Sequence, residues 1–123
     1  DMAFSASPAD ARYTYQMFLD EDVDENVKVD VTGGPATMYY LDCVSSDSSN
    51  VLYVKFFDAA VVTRGTTRPI MVVEIPTSGS KRLSFPDGIA FSTALSYSCD
   101  RSGGTAAGTA PGASKMTIRF VVT

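Results

Sequence analysis

Six consecutive residues, Asp20-Glu21-Asp22-Val23-Asp24-Glu25, carry five carboxylates. Their Asp-x-Asp-x-Asp spacing matches the first oxygen ligands of an EF-hand calcium loop. The rest of such a loop is missing. The sixth position is Glu25 where the turn needs glycine, and the twelfth is Val31 where the ion needs a bidentate glutamate. A solvated acidic turn is the plainer reading, with a looser oxygen site left open.

Other chemistry meets a compositional barrier: the chain contains no histidine. Neither a serine nor Cys43 or Cys99 has an imidazole to activate it, and no Gly-x-Ser-x-Gly elbow occurs. Gly103-Gly104-Thr-Ala-Ala-Gly108 is glycine-rich, but no Lys-Ser/Thr follows and no strand–loop–helix context surrounds it. That excludes a phosphate cradle. Acids are numerous enough for a glycosidase-type carboxylate pair, yet no pair is marked by its setting. Tyr39, Tyr40, Tyr53, Phe56 and Phe57 could stack on a sugar, or could serve core and interface packing. The expectation is a non-enzymatic protein with no catalytic, cofactor-binding or metal-ligating residues and no cofactor.

The 123 residues make one domain, 45% hydrophobic and 20% charged, with enough chain to bury a core without staples. No apolar run reaches the ~20 residues that span a bilayer, and residues 1–5 do not read as a signal peptide. Charge is uneven. Residues 1–30 hold eight acids against Arg12 and Lys28, and the remainder holds six acids against eight bases. An acidic head of this kind repels nucleic acid and suits either solvent or a basic protein surface. Cys43 and Cys99 each close an expected strand. They could pair at one end of a sandwich, though a reduced, buried pair is the simpler reading.

The elements that must position these residues read as strands throughout. Residues 1–12 have no period and suggest an extended arm, and residues 13–19 suit either a strand or more of the arm. Val27, Val29 and Val31 alternate with polar neighbours, the mark of a half-buried strand. Residues 36–43 form the next strand. In residues 51–58, Leu52, Val54 and Phe56 oppose Tyr53, Lys55 and Phe57, so both faces are apolar enough for a central strand or an interface. Pro69 begins a strand in which Met71, Val73 and Ile75 share one face. Leu83 and Phe85 return after a hairpin loop, Pro86-Asp87-Gly88 reads as a turn, and residues 89–97 read as one strand. The last strand directs Met116, Ile118, Phe120 and Val122 inward. These features give an all-β, antiparallel β-sandwich or jelly-roll-like single domain, with an extended acidic N-terminal arm over 1–25 and the sandwich over 26–123.

Between residues 51 and 122, the order of Tyr53-Val-Lys-Phe-Phe-Asp58, Gly65-Thr-Thr-Arg-Pro69, Ile75-Pro76, Asp87-Gly88-Ile-Ala-Phe91 and Ala94-Leu95-Ser-Tyr97 resembles small β-sandwich virion structural proteins of tailed bacteriophages. Arg64 before the Gly-Thr-Thr and Ala94 depart from that pattern. The resemblance implies a capsid decoration or cement protein that binds the outer shell at capsomer junctions. Its partners would be the major capsid protein and further copies of itself, as a homo-oligomer of trimer type, with no nucleic acid and no membrane. Its location would be the virion, assembled in the host cytoplasm. Residues 1–25 and the Arg64–Arg68 loop are the expected contacts. A tail, baseplate or fibre module and a carbohydrate-binding or adhesin domain are the alternatives.

Overall fold

The computed structural model describes residues 15–123, together with the backbone of one further strand, Phe4–Pro8. Eight strands appear in chain order: β1 (Phe4–Pro8), β2 (Gln16–Asp20), β3 (Ala36–Ser45), β4 (Leu52–Asp58), β5 (Met71–Ile75), β6 (Ser80–Phe91), β7 (Leu95–Asp100) and β8 (Met116–Val122). They form a five-stranded sheet in the order β1-β2-β8-β3-β6 and a three-stranded sheet in the order β5-β4-β7. Every strand pair is antiparallel. The chain is therefore an all-β sandwich.

Alternation decides what lies between the sheets. Met116, Ile118, Phe120 and Val122 of β8 are buried, as are Met38, Leu41 and Cys43 of β3 and Leu52, Val54 and Phe56 of β4. Phe56 is the hub. Its ring centroid lies 6.1–6.4 Å from those of Phe91, Tyr97 and Phe120, and Phe18 stacks on Phe120 at 5.1 Å. Offset and edge-on aromatic pairs of this kind add stabilisation beyond the area they bury.

Several sequence expectations need correction. Residues 15–25 were expected in the arm, but β2 is hydrogen-bonded between β1 and β8, and Phe18, Asp20 and Val23 are buried. The sandwich thus begins before residue 26, because Phe18 supplies a core aromatic. The remaining arm residues, 1–3 and 9–14, lie outside the described residues. Residues 26–31 do not form a strand; they make one bridge, Lys28 to Tyr97. An Asx turn at Asp24–Asn26 and a left-handed Asp30 (φ 48°) bend the chain there. Even so, the segment satisfies the free edge of β7. Cys99 N donates to Asp24 O, Lys28 and Tyr97 exchange a pair of bonds, and Val31 N donates to Leu95 O. An edge covered in this way cannot template another chain.

Pro86-Asp87-Gly88 is not a turn but an irregularity inside β6. Met38 pairs with Ile89 and Tyr40 with Ser84, so two steps along β3 match five along β6. Gly88 is required there twice over. Its φ is +78°, and a Cβ would collide with Thr37 Cγ2 and crowd the Tyr39 ring. Finally, residues 89–97 are not one strand. β6 ends at Phe91 and β7 starts at Leu95 in the opposite sheet. The crossing is braced by Asp58, whose carboxylate accepts from Ser92 N, Ser92 Oγ, Thr93 N and Ala94 N at 2.8–3.2 Å.

Candidate functional site

The three aspartates of the acidic run are taken up by structure. Asp20 is fully buried, and its Oδ2 accepts from Tyr97 Oη at 2.7 Å and Lys28 Nζ at 2.6 Å, while Oδ1 accepts from Asp22 N. Asp22 Oδ1 accepts from Ser114 N and Asp24 Oδ1 from Asn26 N. Burial pushes the Tyr97 phenol well up, and its hydrogen bond to Asp20 adds to the rise. Among the described residues, no group of three or more His, Cys, Asp or Glu side chains could hold a metal ion.

A second buried charge cluster lies on the outer face of the three-stranded sheet. Lys55 points away from the core, yet it is only 2% exposed because residues 101–109 fold over it. Its ammonium lies 3.0 and 3.1 Å from the two Asp100 oxygens and donates to Ala106 O at 3.1 Å. Asp100 also accepts from Ser102 N and Gly108 N. The glycine loop that sequence marked is therefore the lid of an ion pair. Gly108 admits no side chain, since a Cβ would lie 2.6 Å from Ser102 Cβ and 2.9 Å from Asp100 Oδ1. Arg64 joins the cluster through Gly108 O at 2.9 Å and Asp100 at 3.6 Å. The cavity left among Lys55, Arg64, Ser98 and Thr105 is about 10 Å³, room for roughly one water molecule.

Cys43 and Cys99 are free and buried. Burial, followed by the neighbouring Asp100 charge, pushes the Cys99 thiol up to about 12, and burial likewise raises Cys43. Neither is poised as a nucleophile. The aromatics singled out in sequence divide among three places. Phe56 is core, Tyr53 and Phe57 lie on the outer side of β4, and Tyr39 and Tyr40 are on β3 of the other sheet. Tyr53 sits under the lid, where a Cβ on Gly103 would lie 3.1 Å from its ring. The second apolar face of β4 is thus covered by the chain itself and is not a free interface.

Among the described residues, two surfaces remain open. One is the loop over residues 59–70. Asp58 and the Ala59 N to Ala94 O bond fix its start, the Thr63–Thr67 bonds and Arg64 brace its middle, and Ile70 N to Phe56 O anchors its end. This pinned loop presents Val61, 81% exposed, with Ile70 half exposed and Arg68 in solvent. Of the two arginines expected as contacts, Arg64 is committed to the ion-pair cluster and Arg68 is exposed.

The other surface is the outer face of the five-stranded sheet, which sequence reasoning missed. Register places Leu19, Arg119, Asp42 and Arg82 in one cross-strand row, with Met17, Val121, Tyr40 and Ser84 in the next. Asp42 is 7% exposed, and its Oδ1 has no hydrogen-bond partner. The nearest cation, Arg82 Nε, is 3.7 Å away on a side chain that is mostly in solvent. Arg119 is exposed and makes no ion pair among the described residues. An aspartate in the middle of an apolar strand was the available signal.

Comparisons with protein-family models, with curated proteins and with solved structures each return no match.

Proposed function

We propose that this chain is a non-enzymatic virion structural protein of a tailed bacteriophage, a decoration or cement protein that docks on the major capsid protein and reinforces the shell. The turn pattern over residues 51–122 suggests the class, and the N-terminal arm and jelly-roll-like features belong to the same reading. The observation that carries docking is the pinned loop over residues 59–70. It holds Val61 81% exposed on a backbone fixed at both ends. Little ordering entropy is lost when such a loop binds, so a small apolar contact with Arg68 beside it is enough for weak attachment. Repetition over many copies converts weak attachment into shell stabilisation.

The test is rebinding of the purified full chain to particles stripped of it. Val61→Asp is fully exposed in setting and leaves the fold intact, and it should abolish rebinding. Retention of Val61→Asp at the unmodified level would contradict this docking surface.

A further inference from the structure

The outer face of the five-stranded sheet has an internal symmetry in its chemistry. Across the β3–β8 seam, Asp42 stands beside Arg119 and Tyr40 beside Val121, with Val44 beside Thr117 in the row beyond. Within this seam, one row is charged and opposite in sign, and its neighbour is apolar on both sides. Met17, 40% exposed, and Val44, 45% exposed, extend the apolar rows.

A two-fold axis lying between two such faces, parallel to the strands and over the seam, carries β3 of one copy onto β8 of the other. It preserves position along the strands. Asp42 then faces the second copy's Arg119, Arg119 faces the second copy's Asp42, and Tyr40 faces Val121 in both directions. This is the isologous arrangement of a closed dimer, in which residue i meets j and j meets i. No partner other than the chain itself is required to supply the complementary charge.

We infer that this face is a homodimer interface whose occupant is a second copy of the chain, joined by reciprocal Asp42–Arg119 pairs. The inference rests on this surface alone and is independent of attachment to a shell. It replaces a three-fold association with a two-fold one.

Sedimentation velocity of the full chain over a concentration series tests it. The chain should sediment as a dimer. Arg119→Asp and Asp42→Arg should each weaken association about tenfold or more, by placing like charges opposite one another. Mixing the two single variants should restore a dimer, because both seam pairs are then of opposite sign. Circular dichroism confirms that each variant is folded. Should Asp42→Arg fail to fold, Arg119→Asp together with the exposed Met17→Glu carries the test. A chain that stays monomeric, a trimer, or a dimer indifferent to Arg119→Asp and Met17→Glu would overturn the inference.

Discussion

Tyr97 Oη donates a 2.7 Å hydrogen bond to Asp20, and both residues are wholly buried. The bond joins β7 of the small sheet to β2 of the large one through the interior of the sandwich. It fixes the end of β2 to the centre of the fold. Lys28 closes the group from the β7 edge at 2.6 Å, so Asp20, the first residue of the acidic run, is the clasp of the fold.

Removing the clasp in steps should give graded losses. Tyr97→Phe leaves Asp20 paired with Lys28 and should lower the free energy of unfolding by about 1–2 kcal/mol. Asp20→Ala leaves the buried phenol without its acceptor and removes the carboxylate that pairs with Lys28, so it should cost more, about 3 kcal/mol. Urea unfolding followed by circular dichroism measures both. Equal losses would mean that the phenol, rather than the charge, dominates.

The Lys55–Asp100 cluster predicts an asymmetry. Lys55→Met removes one partner, but Asp100 keeps two backbone donors and Arg64. Asp100→Leu strips the lid of its acceptor and leaves a buried ammonium, so it should cost about 3–5 kcal/mol and more than Lys55→Met. The same unfolding measurement ranks them.

Gly88→Ala introduces a side chain at φ +78° against Thr37 and Tyr39. It should destabilise by about 1–3 kcal/mol. Gly104→Ala meets no atom within 4 Å and should change the midpoint far less. A comparable shift for both would remove the argument for a required irregularity in β6.

Acid should weaken the crossing from β6 to β7. Desolvation works to raise the Asp58 carboxyl, but hydrogen bonds from Thr93, Ser92 and Ala94 outweigh it, and the group lies below its ordinary 3.8. A carboxyl lowered in the folded state contributes stability that is fully present above its unfolded value and is lost as pH falls through the folded one. Stability should therefore decline as pH drops below about 3.8, and Asp58→Asn should flatten that part of the profile. An unchanged acid profile in Asp58→Asn would place the loss elsewhere.

Both thiols should resist alkylation in the native protein at pH 8 and react on unfolding. The Cys99 thiolate is scarce below about 12, and both sulfurs are buried. Intact mass after native and denaturing labelling reads this directly, and rapid native labelling of either cysteine would contradict the packing.

The strands rich in alternating apolar residues were legible. Met116 through Val122 and Leu52 through Phe56 face as their sequence pattern indicates, because a period of two leaves one register that buries the large side chains. The errors fell where side-chain hydrogen bonds or a bulge overrode local patterning. Val27, Val29 and Val31 alternate like a strand, yet Asp24 and Asp30 bend the backbone around them. Pro86-Asp87-Gly88 has turn chemistry, but pairing to β3 on either side of it holds the segment as an irregularity within β6. Of the candidate surfaces, the loop beyond Asp58 was visible as turn residues. The Asp42–Arg119 seam was not, since it exists only when two strands distant in sequence lie side by side.

The proposed role makes this chain a repeated part of a phage shell. Quantitative mass spectrometry of purified particles gives its copy number relative to the major shell protein. A decoration protein should stand in a simple whole-number ratio to the shell subunit. A handful of copies would assign the chain to a tail structure, and none at all would rule out the virion role.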